Sequence, residues 1–207
     1  MDVVKQLIVQ SLENDLSAFE QLINIYQNRV FNLGYQLTNS YADAQDLTQE
    51  VFIKAYYSLK GFRNEADFGT WLHKIAVNLW LNTKRKRGIP NVISLNEPIS
   101  DGENEVYRDL AATDGDPEQS LESKEFNGIV RKALGELSRE YQAVIVLREI
   151  EGYSYEEVSL IMNCSLGTVK SRLNRARQVL KQQVIKLAKE SGYILPGTRE
   201  NRVIGEV

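Results

Sequence analysis

The chain has one cysteine and one histidine, Cys164 and His73, in 207 residues. Two such ligands cannot complete a tetrahedral zinc site, and a lone cysteine reads as a small buried residue. Proline is scarce too, confined to Pro90, Pro98, Pro117 and Pro196. No apolar run approaches the ~20 residues that span a bilayer, so membrane insertion is not expected. The start, MDVVKQLIVQSLEND, has neither a basic block nor a long apolar core, and does not read as a signal peptide. No alternating strand pattern persists, and no glycine-rich phosphate loop or nucleophile motif appears. These absences predict a cytoplasmic, non-enzymatic chain with no cofactor and no metal, helical almost throughout. An apolar fraction of 43% supports a sizeable core in one or two small domains.

The charge is unevenly placed. In residues 97–122 nine acids face one base, Arg108, a local net charge of −8. With −3 overall, the rest of the chain carries +5, concentrated in Lys84-Arg85-Lys86-Arg87 and between Lys170 and Lys189. Two basic lobes joined by an acidic tether are expected. The boundaries read as a first lobe over 1–87, an extended linker over 88–118 with three of the prolines, and a second lobe over 119–190. A tail over 191–207 carries glycine, proline and mixed charge and is expected to be disordered. Helices are predicted at 3–12, 17–38, 42–59, 68–87, 119–136, 138–150, 154–162 and 165–189.

The most specific pattern is GYSYEEVSLIMNCSLGTVKSRLNRAR, residues 152–177. Ser154 with Glu157 three residues on makes a capping box. Asn163-Cys164-Ser165 breaks the helix, and Ser165 can cap the next. In that helix Leu166, Val169, Leu173, Ala176, Leu180, Val184 and Leu187 form one buried stripe. Ser171, Asn174, Arg175 and Gln178 point away from it, flanked by Lys170, Arg172 and Arg177. Two helices joined by a short turn, the second with polar groups for base edges and cations for phosphates, have the layout of a helix-turn-helix. The same charges also suit a solvated helix face.

Helix 68–87 carries a second signal. Phe68, Leu72, Ile75, Ala76 and Leu79 make a core face, and Trp71, Lys74, Asn78, Asn82 and Arg85 a stripe beside it. An indole for stacking, amides for base edges and cations for phosphate suit unstacked, single-stranded nucleic acid. The preceding loop, Gly61 to Asp67, is polar enough to hold a flipped base. Trp71 as plain core is the competing reading, and Trp80 falls outside both stripes. Helix 42–59 presents Asp43, Asp46, Gln49 and Glu50 beside Val51, Phe52 and Ala55, a surface that suits a protein partner or simple solvation.

In this order the pieces resemble a sigma factor of the extracytoplasmic-function (ECF) group of the sigma-70 family. DAQDLTQEVFIKAYYSLKGFRNEADFGTWLHKIAVNLWLN resembles the family's sigma-2 domain, and LSREYQAVIVLREIEGYSYEEVSLIMNCSLGTVKSRLNRAR its sigma-4 domain. The resemblance spans about residues 15–190. It implies an all-α fold of two small domains, sigma-2-like and sigma-4-like, joined by an extended acidic linker. It implies a transcription initiation factor, active in stress response and promoter recognition, whose partners are core RNA polymerase (clamp coiled coil and flap) and promoter DNA. Many relatives are also held by an anti-sigma factor. Asp46, Leu47, Gln49, Glu50 and Phe52 match the polymerase-docking segment. Phe62, Arg63, Asn64, Phe68, Trp71, Lys74, Asn78, Asn82 and Arg85 match the reader of the melting −10 element. Thr168, Lys170, Ser171, Arg172, Asn174, Arg175 and Arg177 match the reader of duplex at −35. Asn174 stands where many relatives carry an aromatic or other residue, so the −35 sequence itself does not carry over. The rival from the residues alone is an autonomous helix-turn-helix regulator with residues 1–87 as a sensor or dimerisation domain. A helical enzyme fused to a helix-turn-helix lacks any catalytic constellation.

Overall fold

The computed structural model describes residues 3–62, 67–87 and 117–195, and the side chains of 3–62, 67–82 and 124–195. All regular structure among these residues is helical. The first half contributes α1 (Val3–Leu12), α2 (Leu16–Thr38), α3 (Tyr41–Ser58) with a 3-10 turn at Leu59–Gly61, and α4 (Phe68–Arg87). The second contributes α5 (Pro117–Glu136), α6 (Arg139–Ile145) running into a π turn at Val146–Ile150, α7 (Tyr155–Met162) and α8 (Leu166–Ser191).

Short polar residues set the helix ends. Asp15 accepts from the amides of Ser17 and Ala18 to start α2. Asn39 stops that helix in the left-handed region at φ 53°, and Ser40 restarts the chain by accepting from the Asp43 amide. The same stop-and-start recurs between α7 and α8. Asn163 is left-handed at φ 50°, the Cys164 amide closes back on the Ser159 carbonyl at 3.1 Å, and Ser165 accepts from the Thr168 amide. Each such cap contributes about 1 kcal/mol and, more to the point, fixes the register of its helix.

Three boundaries differ from the sequence expectation. A single helix over 138–150 is instead α6 followed by the π turn, which inserts an extra residue per turn and swings Arg148 and Glu149 out of the α6 register. Helix α5 begins at Pro117, inside the stretch expected as linker, because proline's fixed φ suits the first helical position. The remaining linker residues, 88–116, lie outside the described residues. The tail does not loosen at once after α8. Gly192, at φ 73°, turns the chain so that the Tyr193 amide reaches the Ala188 carbonyl at 2.9 Å, and the Tyr193 ring stacks on Phe126 of α5 with centroids 6.0 Å apart. Residues 196–207 lie outside the described set.

The first four helices pack α2 against α1 and α3, with α4 laid across α2 and α3. In the second group α8 is the spine against α5, α6 and α7. The two groups share one continuous apolar core, because α4 also packs on α7 and α6. His73, Val77 and Trp80 form a second buried stripe on α4, facing the second lobe. The Tyr153 hydroxyl and His73 Nδ1 are hydrogen-bonded at 2.8 Å. Gln142 Nε2 donates to the Leu37 carbonyl at 3.1 Å. Arg139 donates to the Trp80 carbonyl and lies over its ring, 4.6 Å from the centroid. Trp80, which neither sequence stripe accommodated, is therefore an interlobe residue.

His73 is 1% exposed. Burial first, and the nearby Arg29 second, lower its pKa from 6.5 to about 4. The folded chain thus resists protonation that the unfolded chain accepts, so this contribution is complete above pH 6.5 and is lost as pH falls towards 4. Wild type should lose roughly 2 kcal/mol of unfolding free energy between pH 7 and pH 5 from this group. Urea titrations at both pH values should show the loss and a flatter response in His73→Gln; identical slopes in the two proteins would refute it.

Candidate nucleic-acid interface

Helix α8 presents its polar face as the period dictates. Val169, Leu173, Ala176, Leu180, Val184 and Leu187 are buried, while Lys170, Ser171, Asn174 and Arg175 are exposed on the opposite side. Leu166 and Gln178 are half-buried at the margins. The Thr168 hydroxyl is engaged with Ser165 Oγ at 2.8 Å, so this residue serves the cap at the start of the helix. Arg172 is half-buried. Arg177 turns inward: its Nε and Nη2 donate to Glu149 Oε1 at 3.2 and 2.5 Å. Its guanidinium braces α8 against the π turn in this structure.

The π turn adds one side chain, Arg148, that the helical pattern of 165–189 did not include. Arg148 donates to the Tyr153 carbonyl at 2.8 Å and lies over the Tyr155 ring at 4.9 Å, while Lys170 approaches the same ring at 5.9 Å. Two cations therefore gather on one tyrosine at the start of α7, Arg148 half-buried and Lys170 exposed. The sequence signal was Arg148, four residues before Gly152, where the chain turns at φ 75° toward the helix pair.

On α4, Trp71, Lys74 and Asn78 are half-exposed along one line and Asn82 is exposed at its end. Trp71 is anchored in an aromatic cluster, with centroids 5.2 Å from Phe62 and 5.4 Å from Phe68. Phe68 is 2% exposed and packs edge-on against Tyr26 at 5.3 Å. It packs against Trp71 and is buried in this structure, on the core face the helical period gives it. Asp67 accepts from the Gly69 amide at 2.9 Å and so starts α4. A Cβ at Gly69 would sit 2.9 Å from the Asp67 carboxylate, 3.1 Å from the Tyr26 ring and 3.3 Å from the Arg29 guanidinium, so these side chains would have to shift to admit one. Arg63 and Asn64 lie outside the described residues, as does the side chain of Arg85.

On α3, Asp46, Gln49 and Glu50 are exposed, whereas Leu47 and Phe52 are each 7% exposed. Leu47 belongs to the core beneath the surface. Phe52 and Gln49 line an open groove between α2 and α3 with Phe19, Ile23, Phe31 and Tyr56. Ile53 and Tyr57 on the same helix are largely exposed. Acids and amides beside an exposed apolar groove suit a protein partner. No group of three or more metal-ligating side chains occurs among the described residues, and no described helix is long and apolar enough to cross a membrane.

Comparison with known proteins covers both lobes. Residues 22–89 match the family model of Sigma-70 region 2, and residues 127–180 that of Sigma-70, region 4. The ECF RNA polymerase sigma-E factor of Haemophilus influenzae is 40% identical over 181 residues, 86% of this chain and 93% of that protein. The ECF RNA polymerase sigma factor SigE of Mycolicibacterium smegmatis is 35% identical over 85% of this chain, which spans 65% of that relative's length. Among solved structures, the sigma factor RpoE of Bartonella quintana, in complex with the anti-sigma factor NepR, is similar with a TM-score of 0.57 at 26% identity. That alignment covers 83% of this chain and 98% of the other.

The two arginines on α8 should separate experimentally. Arg177→Ala should lower unfolding free energy by roughly 1 kcal/mol, because it strands Glu149 in a half-buried position. Arg175→Ala should leave stability unchanged and weaken duplex binding by about 1–3 kcal/mol if it reads a base. Denaturant melts with DNA titrations on matched and scrambled duplexes would check both, and equal stability loss in the two variants would contradict the assignment.

Proposed function

The chain belongs to the extracytoplasmic-function group of sigma-70 family RNA polymerase sigma factors, and on that premise we propose how its surfaces divide promoter recognition. It is an RNA polymerase-binding transcription initiation factor. The polymerase supplies the chemistry; the factor supplies the promoter address and strand capture. In this reading residues 1–87 dock on core polymerase and engage the −10 element, 88–118 form an acidic tether, and 119–190 engage the −35 element.

The observation that carries the division is the presence of two chemically different faces on matched regions. Lys170, Ser171, Asn174 and Arg175 stand on a single exposed helix face, which suits a major groove. Trp71, Lys74 and Asn78 are only half-exposed and lie beside an aromatic cluster, which suits bases that have left the stack. The α2–α3 groove, with Gln49 and Phe52 in its wall and Asp46 and Glu50 nearby, is the docking surface for the polymerase clamp coiled coil. The acidic tether keeps stray nucleic acid out of the polymerase channel it threads until nascent RNA displaces it. An anti-sigma factor is a further partner, as the Bartonella relative's complex suggests. An autonomous regulator is disfavoured because its sensor domain would have to occupy the region 2 match.

Purified core polymerase with this protein should start promoter-specific run-off transcripts from a genomic promoter pool; no transcript in the absence of inhibitor would overturn the reading. Trp71→Ala and Asn78→Ala should slow open-complex formation, read by permanganate footprinting, while duplex binding at −35 survives. Equal loss at both steps would count against the division.

A further inference from the structure

The exposed face of α8 holds fewer available hydrogen-bonding groups than its sequence suggests. Thr168 gives its hydroxyl to the cap, paired with Ser165 Oγ at 2.8 Å. The Ser171 hydroxyl donates back to the Thr168 carbonyl at 3.1 Å, which leaves its oxygen able only to accept. Lys170 leans over the Tyr155 ring, 5.9 Å from the centroid, at the flank of the face. Arg177 is held by Glu149, and Arg172 and Gln178 are half-buried. Asn174 and Arg175 are exposed, and among the described residues no hydrogen bond, ion pair or ring contact engages either. They are the two planar, two-pronged groups of the face that are both exposed and uncommitted.

Their place on the helix fits the width of a groove. At about 1.5 Å per residue Asn174 lies roughly 12 Å from the helix start at Leu166, and the major groove is about 12 Å wide. Gln178, roughly 18 Å along, lies beyond it. Gly167, on the same side as Ser171 and Asn174, is exposed, so the face has no bulk at its leading end. A carboxamide sets one donor beside one acceptor. Adenine shows the complementary pair in the major groove, so Asn174 Nδ2 donates to N7 while Oδ1 accepts from N6. Against guanine, Oδ1 would face O6, acceptor against acceptor. A guanidinium has donors only, and Arg175 makes its pair with guanine O6 and N7. Consecutive helix residues diverge by about 100°, so the two side chains reach different, neighbouring base pairs.

We propose that Asn174 is the specificity-determining residue of the α8 face and selects an adenine in the −35 duplex, beside the guanine selected by Arg175. The proposal rests on the functional reading above and names base pairs that reading leaves open. The preference resides in the carboxamide itself: an apolar or aromatic side chain at position 174 has no donor beside an acceptor and carries no such code. Lys170, a point charge at the flank, neutralises phosphate and adds affinity without choosing a base.

Holoenzyme assembled from core polymerase and the full chain would be offered duplex promoters with a randomised −35 region, and the bound fraction sequenced. Wild type should prefer adenine at one position, and guanine beside it, by about 5- to 100-fold each, the effect of one two-bond contact. Asn174→Ala should flatten the adenine position and keep the guanine preference, which also shows that the helix is folded and seated. Arg175→Ala should do the reverse. Asn174→Asp, which offers only acceptors, should move the preference to cytosine, whose N4 donates. Replacing the selected adenine by its 7-deaza analogue, which lacks the N7 acceptor, should weaken wild type several-fold and leave Asn174→Ala unaffected. No adenine preference in wild type, an unchanged profile in Asn174→Ala, or a uniform loss at every position overturns the proposal. Run-off transcription keeps the failures distinct: no promoter-specific transcript from wild type sinks the functional reading, whereas specific transcript with an unchanged Asn174→Ala profile sinks only the role of Asn174.

Discussion

Helix α4 is buried from two directions, against α2 and α3 on one side and α6 and α7 on the other, and little of its circumference reaches solvent. A helix offers about 3.6 residues per turn, so two buried stripes leave room for one narrow exposed line. On α4 that line is Trp71, Lys74, Asn78 and Asn82. The rest of the architecture follows from this crowding. Phe68 and Phe62 wedge Trp71 from the first lobe, Asp67 sets where the helix starts, and the second lobe covers Thr70, His73, Val77 and Trp80. A chain that buried α4 on one side alone would expose Trp80 and Val77 to water.

Charge works at a longer range. The net charge of −3 hides the +5 carried outside residues 97–122. Phosphate neutralisation supplies most non-specific affinity for DNA, so the placement of these cations matters more than the overall sum. Within the second lobe the cations are not equivalent. Lys170 and Arg175 stay exposed, while Arg148 and Arg177 are used internally, one stacked on Tyr155 and one paired with Glu149. The π turn causes that split, because it rotates Arg148 and Glu149 toward α7 and α8 in place of continuing α6.

Much of this was legible in the sequence for local reasons. The 3–4 spacing of apolar residues in α8 and the caps at Ser154 and Ser165 are set within one helical turn, and the exposed face opposite follows from them. Asn39-Ser40 and Asn163-Cys164-Ser165 announce their breaks in the same way. What escaped was non-local. Nothing near Arg177 in sequence says that Glu149, 28 residues away, will take its guanidinium. Phe68 falls on the core face by periodicity and both Phe68 and Leu47 are candidate contacts by resemblance, while how deeply each is buried depends on what packs over it.

The sequence by itself determined the all-α class, the capped helix starts at Ser154 and Ser165, the acidic middle and the polar face of α8, since each rests on periodicity, capping or composition over a few residues. Tertiary structure alone decided that His73, Val77 and Trp80 form an interlobe seam, that Arg177 is a brace, and that the two lobes share one core. Those outcomes require groups about 60 to 100 residues apart in sequence, or in the case of Arg177 across a helical bend, to meet at van der Waals or hydrogen-bond distance. Such meetings follow from packing, which no local pattern encodes.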